Sequence, residues 1–324
     1  MTKTRFIFVA KLTVSVALLT YLLRQADFEG IWQSTQNAQW SLIAVVFLLF
    51  FLHFYIGALR WRLLSRLHGV NPSVGYLFRS YMVANFFNNF LPSTIGGDVV
   101  RIYDTSRAGT SKSSATAIIF VDRVVGVLTL AVLAAVGMLL LGSREIFSFE
   151  LRGLVVLLII MLVGIIVVLF HPPGWWIKLV ERLISGGPRL ISSMARMFQK
   201  VSSEFRGARK TLGLALLLSF LLQSNVILEY YLIGIAIGID LSPVVFIAIV
   251  PLALILIMLP VSINGIGLRE SVFSILFGLF GIAVEAALVF SWIFYGLFLA
   301  HGILGGVVYA LRKDRLPRRD PSPE

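Results

Sequence analysis

The chain has 324 residues, 58% of them hydrophobic and only 14% charged, with a mean hydropathy of +0.91 and a formal net charge of +12. Soluble domains are about 45–50% apolar and about 25% charged, so the composition excludes a soluble enzyme, a secreted disulfide scaffold and a disordered chain. The absence of Cys removes disulfides, thiolate nucleophiles and Cys-ligated metal sites. His53, His68, His171 and His301 form no pair at ligand spacing, and no metal or other cofactor is expected.

Runs of about 20 apolar residues recur along the chain, the signature of bilayer-crossing helices. The first, Phe6 to Leu23, follows Lys3 and Arg5 and lacks a small-residue cleavage site after it, so it reads as a retained helix. Further runs lie at roughly 40–59, 115–141, 153–170, 211–238 and 284–310. Two candidates, 73–91 and 243–281, are interrupted by polar residues, Gly and Pro.

Basic residues orient these runs. Arg60, Arg62 and Arg66 follow the second helix, eight Lys and Arg fall within 171–210, and five more follow Leu311. The positive-inside bias places these segments and both termini in the cytoplasm, leaving the acidic or neutral stretches 24–39 and 239–243 outside. With 60–70 and 171–210 both inside, 73–114 must enter and leave on the cytoplasmic side. By the same logic 243–283 enters and leaves on the outer side. Both are predicted re-entrant hairpins.

The two hairpins also resemble each other. Leu91-Pro92-Ser93-Thr94-Ile95-Gly96-Gly97-Asp98-Val99-Val100-Arg101 aligns with Leu259-Pro260-Val261-Ser262-Ile263-Asn264-Gly265-Ile266-Gly267-Leu268-Arg269, matching at five of eleven positions with an offset of 168 residues. The predicted fold is an all-α integral membrane protein, a polytopic helix bundle with an inverted-topology repeat and two re-entrant helical hairpins. One membrane domain fills 1–324: a first helix and outer loop (1–39), a first repeat (40–141), a cytoplasmic amphipathic segment (171–210), a second repeat (211–310) and a basic tail (311–324). The plainer reading makes both motifs simple turns between short helices, since Leu-Pro-x-Ser/Thr with Gly is ordinary turn chemistry.

Charged groups in the apolar zone are costly and ask for a partner or a function. Arg101 and Arg269 suit a lipid phosphate, because a planar guanidinium holds phosphate bidentately. The amides of Gly96-Gly97 and Gly265-Ile266-Gly267, opening the returning half-helices, would add a positive end. The alternative pairs Arg101 with Asp98 or Asp104, and Arg269 with Glu270, as structural salt bridges. Candidate headgroup contacts are Arg101, Arg269, Asp98, Asn264, Glu270, Asn88 and Asn89. Asp122-Arg123, opening the helix at 115, and Glu229, the most isolated acid, are candidates for coupling or for structure, with Glu229 suited to carrying a proton. Within 171–210, two apolar faces flanked by basic residues suggest helices lying on the anionic leaflet.

No nucleophile elbow, Walker loop, metalloprotease helix or dinucleotide fingerprint is present. Nor is any stretch outside the membrane longer than about 40 residues, so no catalytic domain is expected.

Three motifs in order carry a family resemblance: Phe90 to Asp98 with Arg101, then Asp122-Arg123-Val124-Val125-Gly126, then Leu259 to Glu270. Over nearly its whole length the chain resembles the lysylphosphatidylglycerol synthase transmembrane-region family, also called flippase-like proteins. In that family's bifunctional members the membrane domain moves an aminoacylated phospholipid made by a linked cytosolic transferase. Here the resemblance implies a stand-alone membrane domain that binds and translocates lipid, a phospholipid or a polyprenyl phosphate, across a bacterial inner membrane. The alternative is a membrane-embedded enzyme or accessory subunit for polyprenyl-linked glycan or lipid modification, with Asp98 or Asp122 in the chemistry. Expected partners are membrane lipids and envelope-biosynthesis proteins, and no nucleic acid.

Overall fold

The computed structural model describes residues 3–90, 96–142, 156–164, 207–259 and 261–312, with isolated positions between 153 and 205. Leu91 to Ile95 of the first motif, Pro260 of the second, most of the amphipathic segment and the tail from 313 onward lie outside the described residues.

The described residues form helices and no strand: α1 (Lys3–Gln25), α2 (Phe28–Gln36), α3 (Trp40–Arg66), α4 (Val74–Phe90), α5 (Gly96–Arg107), α6 (Lys112–Leu140), α7 (Arg209–Ala236), α8 (Pro243–Ile257), α9 (Leu268–Gly278) and α10 (Val284–Leu311). Four of them, α3, α6, α7 and α10, are long and apolar enough to cross a bilayer. At 27 to 29 residues each spans roughly 40 Å, more than the hydrocarbon core requires. Residues 156–164, within the expected run 153–170, are helical. Large apolar side chains such as Leu48, Leu139, Leu217 and Ile303 stay exposed on the outer faces, as lipid contact demands.

Local chemistry sets the boundaries. Ser111 caps α6 by accepting from the Ser114 amide at 3.0 Å. After α7 the chain turns at Gly238, whose φ of 81° is left-handed, while the Ile239 amide returns to the Gly234 carbonyl at 2.9 Å. Pro243 opens α8, where a missing amide proton costs nothing. The stretch 24–39, expected as a loop, contains α2, because Asp27 caps it through the Glu29 amide.

From α3 onward the described long and short helices recur in the same order: long α3, short α4 and α5, long α6, then long α7, short α8 and α9, long α10. Trp40 and Arg209 open one matching pair, Val74 and Pro243 the next, Gly96 and Leu268 the third, Lys112 and Val284 the fourth. The packing is exchanged between halves: α4 lies along α10, and α6 lies along α8. Both contacts are set by glycine. A Cβ on Gly137 of α6 would collide with the α8 backbone at Ala248, and one on Gly305 of α10 with the Met82 carbonyl of α4. Gly137 and Gly305 are 168 residues apart, the same offset as Leu91 and Leu259. Without a hydrophobic drive between helices in lipid, small residues that allow close van der Waals packing do this work.

The two short-helix pairs open towards opposite ends of the bundle. The Tyr76 hydroxyl near the start of α4 donates to the Asp104 carbonyl near the end of α5 at 3.1 Å, and Arg312, beyond α10, reaches the Asp104 carboxylate at 2.9 Å. At the other end Phe246 of α8 packs edge-on against Phe277 of α9, 5.9 Å between ring centroids. The end of α4 meets the turn before α9 between these ends, where the Asn264 side-chain amide donates to the Asn89 carbonyl at 2.9 Å. An aromatic core holding Phe50, Phe54, Tyr230, Phe246, Phe273 and Phe290 packs around them.

Candidate functional site

Between Asn88 of α4 and Asn264, a cavity of about 430 Å³ opens inside the bundle. Its walls are contributed by α3 to α10 and by the Asn264–Gly265 turn. Apolar side chains make up most of the lining, Val127, Leu130, Leu254, Ile257 and Met258 from α6 and the end of α8 and Phe50, Phe54, Leu222, Val226, Phe294 and Phe298 from α3, α7 and α10, and charged and amide groups are set among them.

The buried acids of the first half are each held by arginines. Asp122 accepts from Arg60 Nε at 2.6 Å through one oxygen and from Arg101 Nη2 at 2.9 Å through the other. Arg60 also donates to Ser219 Oγ on α7 at 2.7 Å. The Arg101 guanidinium lies 4.6 Å from the ring centroids of both Trp61 and Tyr81, a cation–π setting. Asp98 accepts from Arg123 Nε at 2.7 Å and has an oxygen 3.9 Å from Arg101. Asp104 pairs with Arg312 and accepts from Ser80.

Arg269 differs. Its Nη2 donates to the Asn264 carbonyl at 3.3 Å and its guanidinium lies 4.7 Å from the Tyr295 ring centroid. Among the described residues no carboxylate comes within ion-pair distance, and Nη1 is buried without a hydrogen-bond partner. The offset that takes Arg101 to Arg269 takes Asp122 to Phe290 and Trp61 to Glu229. The second half therefore carries the cation without its acid.

Other unmet polar atoms gather here. His53 Nδ1, Arg101 Nε, the Tyr230 hydroxyl and Asn264 Oδ1 are buried without partners, and all four residues line the cavity. Buried polar atoms in folded proteins are nearly always paired, so this concentration is unusual. Glu229, only 1% exposed, also lines it; its Oε1 accepts from Asn225 Nδ2 at 2.6 Å, with no cation in ion-pair range among the described residues.

The candidate residues thus divide. Arg101, Arg269, Asp98, Asn88, Asn264, Asp122, Arg123 and Glu229 line the cavity; Asn89 and Glu270 do not. Glu270 is the N3 residue of α9 and accepts from the Gly267 amide at 2.7 Å, a helix-start bond rather than a partner for Arg269. Asn88 accepts from the Gly97 amide at 2.8 Å. The Gly97 and Gly267 amides expected to face phosphate are therefore already occupied. Asn89 donates to the Phe298 carbonyl at 3.2 Å.

Three sequence expectations change. Arg60 was expected in a cytoplasmic loop, yet α3 continues to Arg66 and Arg60 is buried at the cavity. Asp122-Arg123 does not open its helix, because α6 starts at Lys112. Arg101 pairs chiefly with Asp122 rather than Asp98 or Asp104. Arg60, Trp61, Tyr81 and Tyr230 are the residues sequence reasoning missed. The rule that an ionisable residue inside an apolar run marks function would have found Arg60 had the helix end been set at Arg66 instead of 59.

A family model described as the lysylphosphatidylglycerol synthase TM region matches residues 8–306. A UPF0104 membrane protein of Methanothermobacter thermautotrophicus is 25% identical over 286 residues, 83% of this chain and 84% of that relative. One of Pyrococcus horikoshii is 24% identical over 307 residues, covering 86% of this chain and 88% of its own. One of Archaeoglobus fulgidus is 25% identical over 158 residues; there the match takes in 49% of this chain and 48% of the relative.

Proposed function

This chain belongs to the lysylphosphatidylglycerol synthase TM-region family, and from that premise we infer that it binds the phosphate-bearing headgroup of a membrane lipid in its cavity and passes it across the cytoplasmic membrane. The cargo is a phospholipid or a polyprenyl-phosphate-type lipid. The observation that carries this reading is Arg269: a buried guanidinium with an unmet donor and, among the described residues, no carboxylate in reach, facing a cavity whose lining is largely apolar. A phosphate oxygen supplies what Arg269 lacks, and acyl or prenyl chains suit the apolar lining around Val127, Leu130, Leu254, Ile257 and Met258. Arg101 belongs to the scaffold, since Asp122 and two aromatic rings already hold it.

In this reading α4–α5 and α8–α9 are re-entrant hairpins of an inverted repeat, with both termini in the cytoplasm. The exchanged packing and the paired glycines support it, and so does the requirement that irregular backbone at membrane depth be buried or line a cavity. The enzyme alternative is not favoured: both Asp122 oxygens accept from arginines and Asp98 is engaged by Arg123, leaving neither free as a base.

Native mass spectrometry of protein released from nanodiscs tests the proposal. A defined phosphate lipid should co-purify with the wild type and be lost from Arg269→Ala, and proteoliposomes should translocate that lipid. Only bulk lipid, indifferent to the substitution, would sink it.

A further inference from the structure

We propose that Arg62, Arg66 and Asn71, together with Arg107, form a second phosphate site, in a surface cleft at the end of the bundle where α4 begins and α5 ends. It is separate from the central cavity, and its ligand is a phosphate group, carried by a lipid of the adjoining leaflet or by a soluble anion.

Two cations converging on one neutral atom make the argument. Arg62 and Arg66 are four residues apart and so share a face of α3. Both donate through Nε to a single acceptor, Asn71 Oδ1 in the α3–α4 connection, at 2.9 and 3.0 Å. That brings the two Nε atoms within about 6 Å of each other, a repulsive placement unless an anion offsets it. Among the described residues neither guanidinium has a carboxylate within ion-pair distance, and the Nη groups of both forks have no partner. Two acids reach this end, and both are engaged. Asp104 takes Arg312 and Ser80, and Glu204 takes His68, Ser114 and Lys200.

Asn71 leads from the arginine pair into a cleft of about 410 Å³, lined also by Ser73, Tyr76 and Arg107 and, among the described residues, by no acid. Arg107 lies in the last turn of α5, so a third guanidinium borders the cleft. Ser73 Oγ accepts from the Tyr76 amide at 3.2 Å at the start of α4, and the positive end of that 17-residue helix adds to the field. A guanidinium fork holds phosphate bidentately, and two forks fixed side by side by one amide suit two of its oxygens.

Position separates this cleft from the cavity and sets its depth. Arg60, two residues before Arg62, projects from roughly the opposite side of α3, where it meets Asp122 and Ser219. α3 is long enough to cross a bilayer, and Arg62 and Arg66 stand on its last two turns, at the depth of headgroups.

Ser73→Cys, the sole thiol in a chain without Cys, reports on the cleft in the full chain in detergent micelles. Its rate of reaction with an impermeant maleimide is followed against dihexanoyl phosphatidylglycerol and, separately, inorganic phosphate, at fixed ionic strength. A ligand in the cleft should slow the reaction severalfold and saturably. Combining Arg62→Gln with Arg66→Gln should raise the half-protecting concentration roughly tenfold or more. Arg62→Lys with Arg66→Lys keeps the charge without the forks and should recover only part of that loss. Protection by the lipid where inorganic phosphate gives none assigns the site to the leaflet; equal protection by both assigns it to soluble phosphate. Protection by neither, or protection unchanged in the glutamine variant, overturns the site. The glutamine variant should still retain the cargo lipid held at Arg269, so this failure would leave the proposed function standing.

Discussion

Asp122 holds Arg60 and Arg101 at once, one carboxylate oxygen on each guanidinium, at 2.6 and 2.9 Å. The acid sits on α6 and its partners on α3 and α5, so a single buried carboxylate ties three helices together. Burying charge is unfavourable unless it is paired, and removing one partner leaves the other uncompensated, at a cost of about 3–5 kcal/mol. Asp122→Ala strands two guanidiniums and should reach that range or exceed it, seen as a large fall in unfolding temperature in detergent. Asp122→Asn keeps an acceptor and loses the charge, and should fall between. A wild-type melting curve for Asp122→Ala would show that the triad does not hold these helices.

The two arginines of the repeat should respond differently to the same change. Arg101→Ala unpairs half of Asp122 and empties the space against Trp61 and Tyr81, so both stability and lipid binding should drop. Arg269→Ala removes a cation with no carboxylate beside it. Its unfolding temperature should stay near that of the wild type while headgroup affinity falls. A charge-assisted hydrogen bond is worth about 1.5–3 kcal/mol, or roughly 10- to 150-fold in affinity. Arg269→Lys keeps the charge without the planar fork and should recover part of the loss. Equal loss of stability in both alanine variants would place Arg269 in the scaffold with Arg101.

What could be read from sequence follows the range of the interactions involved. The four long helices announce themselves through about 20 consecutive apolar residues, a local signal. Glu270 was partly readable too: a Glu at the third position of a helix reaches back to the amide of the residue before it starts, and taking Glu270 for a ligand overlooked that. Asp27 before α2 is a similar cap signal. The Arg60–Asp122 pair joins residues 62 apart, and no hydropathy window records which face of α3 an arginine occupies. Arg60 also stands beside Arg62 and Arg66, so its charge merged with a cytoplasmic cluster. The asymmetry between Arg101 and Arg269 was latent in the sequence, because the offset of 168 that aligns them sets Phe290 opposite Asp122, but its meaning required knowing that Asp122 is the partner.

Gly137 and Gly305 should be the least replaceable glycines in the long helices. Each lets a long helix touch the backbone of a short one, and the atom a Cβ would strike is main chain, which cannot rotate away. Overpacking costs about 1–3 kcal/mol where side chains can yield; here the helices must separate, so Gly305→Val should lie at or above the top of that range. Gly213, whose Cβ would meet nothing within 4 Å, is the control, and Gly213→Ala should be neutral or slightly stabilising. Thermal unfolding of the two variants in one detergent decides it, and similar values for Gly305→Val and Gly213→Ala would remove the close-contact argument.

The hairpin reading makes a prediction about sides of the membrane. The chain contains no Cys, so single cysteines report without background. Ser73 and Thr110 flank the α4–α5 pair, while Ser242 and Leu279 flank α8–α9. If each pair is re-entrant, Ser73→Cys and Thr110→Cys should react with an impermeant maleimide from one side only, and Ser242→Cys and Leu279→Cys from the other. The positive-inside bias assigns the first side to the cytoplasm. Arg312, just past α10, reaches Asp104 at the open end of the first pair, so a label placed after Arg312 should report the same side as Ser73. Labelling of Ser73→Cys and Thr110→Cys from opposite sides would make α4–α5 a crossing unit. The cavity would then no longer lie between two hairpin tips entering from opposite leaflets, and its access to both faces of the membrane would need another route.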